Sequence, residues 1–134
     1  MNIWKCSWLA LALCLAIGCA STGGKSCGCV AAGKVLRHVV LFKFTSDTTP
    51  EQVKQIEAAF RALPGKVPGI AGFEWGTDIS PEKLSQGYTH CFFLTFRTEA
   101  DRDAYLPHPE HKAFGALLKG HLDKVLVVDY WTRP

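Results

Sequence analysis

The chain has 134 residues, enough for one domain of ordinary size, of which 48% are apolar and 20% are charged. This composition is typical of a packed globular protein and excludes an intrinsically disordered one. The formal net charge is only +3, and no run of Lys and Arg with interleaved aromatic residues occurs, so we expect no nucleic-acid partner.

The first 18 residues indicate an export signal. A short start with one lysine precedes an apolar run at 8–17, which is too short to cross a hydrocarbon core of about 30 Å as a helix. The end of this run, Ala16-Ile17-Gly18-Cys19, resembles the bacterial lipobox. In a lipobox the chain is cut before the cysteine, which becomes lipid-modified. We therefore expect a signal peptide at 1–18 and a lipid anchor on Cys19.

Two outcomes of cleavage stay open. The lipobox resemblance predicts an exported protein held at a membrane of the cell envelope by lipid alone. Ala20, which follows the modified cysteine in place of an Asp, favours the outer membrane in a cell that has two. Ordinary signal-peptidase cleavage near Ala20 would instead leave a soluble secreted protein.

Residues 19–35 form a linker between the signal and the domain. Their small and polar composition is typical of a flexible segment. Cys27 and Cys29 could form a strained disulfide, an intermolecular link or half of a metal site. No second cysteine pair is present to complete a four-thiolate zinc site, so incidental thiols are the simpler interpretation.

The first strand and helix of the domain follow the linker. β-branched and aromatic residues predict a strand over 38–44. Thr49 is placed to cap a helix that starts at Pro50, and Gln52 completes the pattern of a capping box. Apolar residues continue at helical spacing until Pro64-Gly65 ends the helix.

Further strands are predicted at 72–77 and 88–96, separated by a polar loop. Thr98 then caps a second helix. Pro107 interrupts this helix, and Pro109 opens a further helical run.

The order of elements, completed by a strand at 125–131, is β-α-β-β-α-β. This is the α+β, ferredoxin-like plan, with a four-stranded antiparallel sheet. Both faces of the strands at 38–44 and 88–96 are apolar, whereas a sheet with one solvated face alternates. Because no sequence remains to cover the second face, we expect a homodimer in which two sheets pack together as a dimeric α+β barrel.

Several motifs are spread through the domain in a fixed order: His38-Val-Val-Leu-Phe-Lys-Phe44, Leu63-Pro-Gly-Lys-Val-Pro-Gly69, Phe73-Glu-Trp-Gly76, Ser80-Pro-Glu82, Gly87-Tyr-Thr-His90, Ala104-Tyr-Leu-Pro-His-Pro-Glu-His111 and Val128-Asp-Tyr130. Together they resemble the stress-responsive A/B barrel (Dabb) family across residues 36–131. The resemblance implies the dimeric α+β barrel. It implies function only loosely, since many members are known by stress association and some close a polyketide ring without metal or cofactor.

The resemblance also implies candidate site residues. The Tyr and His that act in the ring-closing members correspond to Tyr105 and His111, which we take as candidate catalytic residues. Two further histidines that line the same cavity in the family correspond to His38 and His90.

The sequence around Tyr105 and His111 supports a site on physical grounds. Pro107 and Pro109 each disfavour the α conformation in the preceding residue, so this corner should be stiff. Pro109 at the first helical position places His111 in the first turn, where the helix dipole disfavours the imidazolium. His111 is therefore a candidate general base, and Tyr105 could polarise a substrate carbonyl.

The expected pocket is small and mainly apolar. His38 and His90 lie near the starts of their strands with the same parity as Phe42 and Phe92, so we expect them to face one cavity. Phe114, from the last helical run, is expected to complete the substrate-binding set.

Structural roles are the alternative for each of these side chains: a buried Tyr with a satisfied hydroxyl, and histidines bonded to the backbone. A metal site formed by His108, Glu110 and His111 is possible by residue type. The proline corner already explains their spacing, however, and His108 is expected to cap the helix. We therefore expect neither a metal nor a cofactor.

Two classes of function follow from the sequence. The first is a lipid-tethered homodimer that binds a small hydrophobic molecule. The second is a cofactor-free acid–base enzyme, a polyketide-cyclase-like protein or a related lyase, that uses Tyr105 and His111. Export weakens the polyketide hypothesis, because such substrates are made on cytosolic carriers, and the binding protein is therefore preferred.

Overall fold

The computed structural model describes residues 33–133. The predicted signal peptide, the lipidated Cys19 and the Cys27/Cys29 pair lie outside the described residues. The elements of the domain are β1 (Leu36–Phe44), α1 (Pro50–Ala62), a short 3₁₀ turn (Leu63–Gly65), β2 (Ile70–Thr77), β3 (His90–Phe96), α2 (Glu99–Tyr105), α3 (Pro109–Leu117) and β4 (Leu122–Trp131).

The four strands form one antiparallel sheet in the order β2-β3-β1-β4. The predicted α+β, ferredoxin-like arrangement is confirmed. Strand bounds shift slightly from the sequence expectation: β4 begins at Leu122 rather than residue 125, and β3 at His90 rather than residue 88. The central position of β1 matters for function, because β1 and its neighbour β4 form the sheet side of the cavity described below.

Each helix begins where the sequence predicts. At α1 the Thr49 hydroxyl accepts a hydrogen bond from Gln52 N at 3.3 Å, and the Gln52 side chain accepts one from Thr49 N at 2.8 Å. Thr98 and Asp101 form the same capping box at α2. His108 Nδ1 accepts from Glu110 N at 3.2 Å and so caps α3. These side chains satisfy backbone N–H groups that have no partner within the helix.

The two faces of the sheet differ in burial. On the helix side, alternate residues of β1 and β3 are buried under α1 in an aromatic core, in which the Phe60 and Phe92 rings stack 4.2 Å apart. On the other side, Val39, Leu41 and Phe93 are only half-buried. Leu126 and Val128 of β4 continue this second face and are exposed. The second face is thus apolar, as the sequence predicts.

The longest helix of residues 33–133, α1, has 13 residues. No helix within this range is long and apolar enough to cross a membrane.

Candidate functional site

A cavity of about 210 Å³ lies between the helices and the edge of the sheet formed by β1 and β4. Tyr105, His111 and Phe114 line it from the helix side, while His38 and Phe42 line it from β1. Most of the remaining wall is aliphatic, including two β4 valines that are about half exposed on this side of the sheet. The structure therefore brings five of the predicted site residues together around one apolar space.

The corner between α2 and α3 holds Tyr105 against His111. Contrary to the proline rule, Leu106 before Pro107 stays in the α conformation, while His108 before Pro109 is extended. Tyr105 is the last residue of α2 and is only 1% exposed. Its ring centroid lies 4.3 Å from that of His111, which sits in the first turn of α3. His111 Nδ1 donates to the carbonyl oxygen of Leu106 at 2.9 Å. Because a carbonyl can only accept, this bond fixes the proton on Nδ1 and leaves Nε2 as the ring nitrogen available to a ligand.

Tyr105 remains a hydrogen-bond donor at neutral pH. Burial raises the pKa of its hydroxyl above the ordinary value, since the charged phenolate is poorly solvated in this position. The hydroxyl has no hydrogen-bond partner within residues 33–133. Every fully buried side-chain polar atom in this range has a partner, so the Tyr105 oxygen is not fully buried. The hydroxyl is thus open to the cavity and free to donate to a ligand.

A histidine–carboxylate pair completes the polar part of the cavity wall. His38 and Asp129 face each other across the β1–β4 ladder, and His38 Nδ1 donates to Asp129 Oδ1 at 2.6 Å. The second oxygen of Asp129 accepts from Arg102. Asp129 thereby fixes the His38 tautomer and ring orientation, and Nε2 is the nitrogen left for the cavity.

The imidazole of His38 is held in its neutral form. Burial is the largest influence and lowers its pKa, against the opposing hydrogen bond and charge of Asp129. The nearby Arg102 guanidinium acts in the same direction as burial. The His38 ring lies 5.8 Å from that of Tyr105, so Tyr105 stands between two imidazoles.

His90 and Phe92 lie elsewhere, contrary to the sequence expectation. β1 and β3 are antiparallel, so their starts lie at opposite ends of the sheet: His90 is paired with Phe42, and His38 with Leu94. His90 is bonded at both nitrogens and does not line the cavity, while Phe92 is fully buried in the aromatic core. Equal parity put both histidines on one face, but strand direction separated them.

Sequence reasoning missed Asp129 and Arg102. No role was assigned to either residue from the sequence. The available signal was that Asp129 is the only charged residue in the predicted strand at 125–131. Its role becomes visible only once the register sets it opposite His38.

The three residues weighed as a metal site have separate partners. His108 caps α3, and Glu110 forms an ion pair with Lys66 at 2.9 Å. His111 is bonded to Leu106. Within the range 33–133 no group of three His, Cys, Asp or Glu side chains is arranged to hold a metal ion.

Comparison with known proteins places the chain in a family. Residues 36–132 match the Stress responsive A/B Barrel Domain (Dabb) family. The chain belongs to this family. Stress-response A/B barrel domain-containing protein HS1 of Arabidopsis thaliana is 38% identical to this Dabb protein over 95 residues, which cover 71% of this chain and 87% of HS1.

Two similar proteins carry enzyme names. Olivetolic acid cyclase of Cannabis sativa is 28% identical over 98 residues, covering 73% of this chain and 97% of the cyclase. The solved structure of hydroxynitrile lyase from Passiflora edulis is also 28% identical, with a TM-score of 0.70, covering 74% of this chain and 94% of the lyase. A dimeric ferredoxin-like protein of unknown function from Thermobifida fusca is 27% identical with a TM-score of 0.65, covering 75% of this chain and 93% of that protein.

Proposed function

We propose that this Dabb protein is an exported, lipid-anchored homodimer that binds a small, largely apolar molecule in the cavity beside Tyr105. The observation that carries the proposal is the cavity wall itself. It is mainly aliphatic and aromatic, with three polar side chains, Tyr105, His38 and His111, directed to one region. A concave apolar pocket with few convergent polar groups is the usual form of a small-molecule site.

The homodimer rests on the second face of the sheet. Leu126 and Val128 are 43% and 46% exposed there, beside the half-buried Val39, Leu41 and Phe93. A continuous apolar surface of this kind is typical of a protein interface. Solved relatives, including the Thermobifida fusca protein, are dimeric and ferredoxin-like. Export and the lipid anchor rest on the sequence alone, through the run at 8–17 and the lipobox-like segment that ends in Cys19.

Native mass spectrometry of the full-length chain, purified without added ligand, tests both assembly and binding. We expect a dimer, and extra mass that the dimer loses on denaturation would identify the bound molecule, because the covalent lipid on Cys19 stays attached. Val128→Glu places a charge in the proposed interface and should give monomers, whereas the control Lys112→Glu on α3 should stay dimeric. A monomeric wild-type protein would contradict the homodimer.

Cofactor-free acid–base catalysis is the second candidate, and the disposition of protons around Tyr105 favours it. Both flanking imidazoles donate through Nδ1 to protein acceptors, so each presents Nε2 as a base. A base nitrogen could take a proton from a carbon next to a carbonyl, while the Tyr105 hydroxyl donates a hydrogen bond to the oxygen that gains charge. The enzyme names of two similar proteins agree with this class of chemistry.

His111→Ala separates the two candidates. If the protein is an enzyme, turnover should fall by about 100-fold or more, because a general base contributes on that order. The dimer should survive, and ligand affinity should fall by no more than about tenfold, the value of one lost hydrogen-bond acceptor. His121→Ala is the matched control, since His121 does not line the cavity. Turnover that is unchanged in His111→Ala would exclude His111 as the base.

A further inference from the structure

The cavity wall carries no formal charge other than what its histidines could acquire. No Lys, Arg, Asp or Glu lines it, and the polar side chains that do are Tyr105, His38 and His111. Arg102 is connected to His38 through Asp129, which accepts from both side chains. Arg102 also forms an ion pair with a second carboxylate, Asp103. The two carboxylates offset the positive charge of Arg102 and hold the guanidinium outside the cavity wall.

The hydrogen-bonding capacity of the wall is equally specific. Nε2 of His38 and Nε2 of His111 can only accept while the rings are neutral, because Nδ1 holds the proton in each. The Tyr105 hydroxyl donates, and burial keeps it protonated. The wall thus offers two acceptors and one donor within an apolar space.

This combination discriminates between ligand classes. A carboxylate or phosphate would lose its hydration without meeting a cation, which is unfavourable for a buried charge. A hydrocarbon would leave the three polar groups unpaired when it displaced water from them. A neutral molecule with a hydroxyl can donate to an imidazole and accept from Tyr105, so it satisfies the wall and avoids both penalties.

Size restricts the ligand further. The volume of about 210 Å³ is below the range of about 300–1,000 Å³ that is usual for drug-sized ligands. One ring or a chain of similar bulk fits this space.

We propose, building on the ligand-binding function above, that the site selects neutral, phenol-sized hydroxyl compounds and rejects their carboxylate analogues. The selection resides in a wall without a charged side chain, with Arg102 held outside it by Asp103 and Asp129, and in the two Nε2 acceptors of the imidazoles beside Tyr105.

Titration calorimetry on the full-length protein at pH 7.5 with phenol, toluene and benzoate tests this proposal. We expect phenol to bind about tenfold more tightly than toluene, the value of one buried hydrogen bond, although toluene is the more hydrophobic. Benzoate should bind at least about tenfold more weakly than phenol. Toluene or benzoate binding as tightly as phenol would overturn the proposed selectivity while leaving ligand binding intact. If none of the three binds, the ligand-binding function fails, and the selectivity with it.

Asp129→Asn locates the origin of the selectivity. The substitution keeps an acceptor for His38 but leaves Arg102 with one carboxylate, so benzoate affinity should rise by about tenfold. Toluene affinity should stay at the wild-type value, which confirms that the cavity is intact. Asp103→Asn is the matched control, because Asp103 also binds Arg102 but is 64% exposed and does not touch His38. A benzoate affinity that rises equally in both variants, or in neither, would contradict the assigned role of Asp129.

Tyr105→Phe tests the donor without changing any charge. Phenol affinity should fall towards that of toluene, and toluene affinity should be unchanged. Equal losses for phenol and toluene would show that Tyr105 shapes the cavity and does not bond to the ligand.

Discussion

The core face of the sheet carries two buried histidines, one near each end, and each is bonded to a carboxylate. His38 is paired with Asp129 at 2.6 Å and His90 with Glu57 at 3.0 Å. The difference lies in the second ring nitrogen. His90 Nδ1 accepts from the Thr89 hydroxyl at 2.8 Å, so both of its nitrogens are used within the protein. His38 uses one nitrogen and lines a cavity with the other available.

The comparison shows that burial and a carboxylate partner are not enough to identify a functional histidine. The two rings also differ in tautomer when neutral: Nδ1 carries the proton in His38, and Nε2 carries it in His90, because a carboxylate accepts at each position. The surroundings agree with this division. Both rings pack edge-on against an aromatic neighbour, His90 against Phe44 at 5.0 Å and His38 against Tyr105 at 5.8 Å, but only His38 lines the cavity.

The largest expected contrast between the two histidines is in the free energy of unfolding when each is replaced by alanine. His90→Ala removes two internal hydrogen bonds and aromatic packing, so we expect the free energy of unfolding to fall by about 2–4 kcal/mol. His38→Ala removes one hydrogen bond and edge-on contacts with Phe96 and Tyr105 beside an existing cavity, and about 1–2 kcal/mol should be lost. Urea denaturation of the full-length variants measures both values. A larger loss for His38→Ala would reverse the assignment of roles.

The same two variants should show the opposite order in ligand affinity. His38→Ala removes an acceptor from the cavity wall, and the dissociation constant for phenol should rise by about tenfold. His90→Ala should leave it within about twofold, provided that the variant is kept under conditions where it is folded. Calorimetry checks this, and an equal rise in both variants would mean that the loss reflects general loosening of the core.

Removing the charge of the partner carboxylate sharpens the comparison at the His90 end. Gln at position 57 can still accept from His90 Nε2, so Glu57→Gln should cost only about 0.5–1 kcal/mol, the difference between a charged and a neutral hydrogen bond. Phenol binding should not change. A Glu57→Gln variant that lost phenol binding would connect the His90 end to the cavity after all.

The smallest expected effect is a pH dependence that arises at His38. Its pKa is lowered by burial from the ordinary value of 6.5, so between these two values the unfolded chain binds a proton that the folded chain does not. Stability is therefore unaffected by His38 above pH 6.5 and falls as the pH decreases through that window. Comparing thermal unfolding of the wild type and His38→Gln from pH 7.5 to 5 should show a shallower acid loss in the variant. An identical slope would contradict the assignment.

The fold was predictable because its signals are local. Thr49 with Gln52 and Thr98 with Asp101 are separated by three residues, and the residue patterns that indicate each strand lie within that strand. Helix capping and hydrophobic periodicity depend on residues that are close in sequence, so a single sequence is enough to recognise them. The Tyr105–His111 corner was predictable only in part: His108 before Pro109 is extended as the proline rule predicts, with φ −59° and ψ 138°, whereas Leu106 before Pro107 keeps the α conformation, with φ −59° and ψ −46°.

The His38–Asp129 pair was not predictable in this way. The two residues are 91 positions apart, and they meet only because β1 pairs with β4 in one particular register. A shift of one residue would have turned Asp129 to the other face. His90 was misplaced for a related reason: parity gives the face of a strand, but the strand direction decides at which end of the sheet a residue lies.

The measurement that tests the central comparison most directly is ¹⁵N NMR of the imidazole nitrogens in the full-length protein, with and without phenol. We predict protonated Nδ1 and unprotonated Nε2 for His38, and the opposite for His90. When phenol is added, the ¹⁵N chemical shift of His38 Nε2 should change, and the shifts of His90 should not. The same tautomer in both rings, or a response of His90 while His38 stays unchanged, would contradict the account.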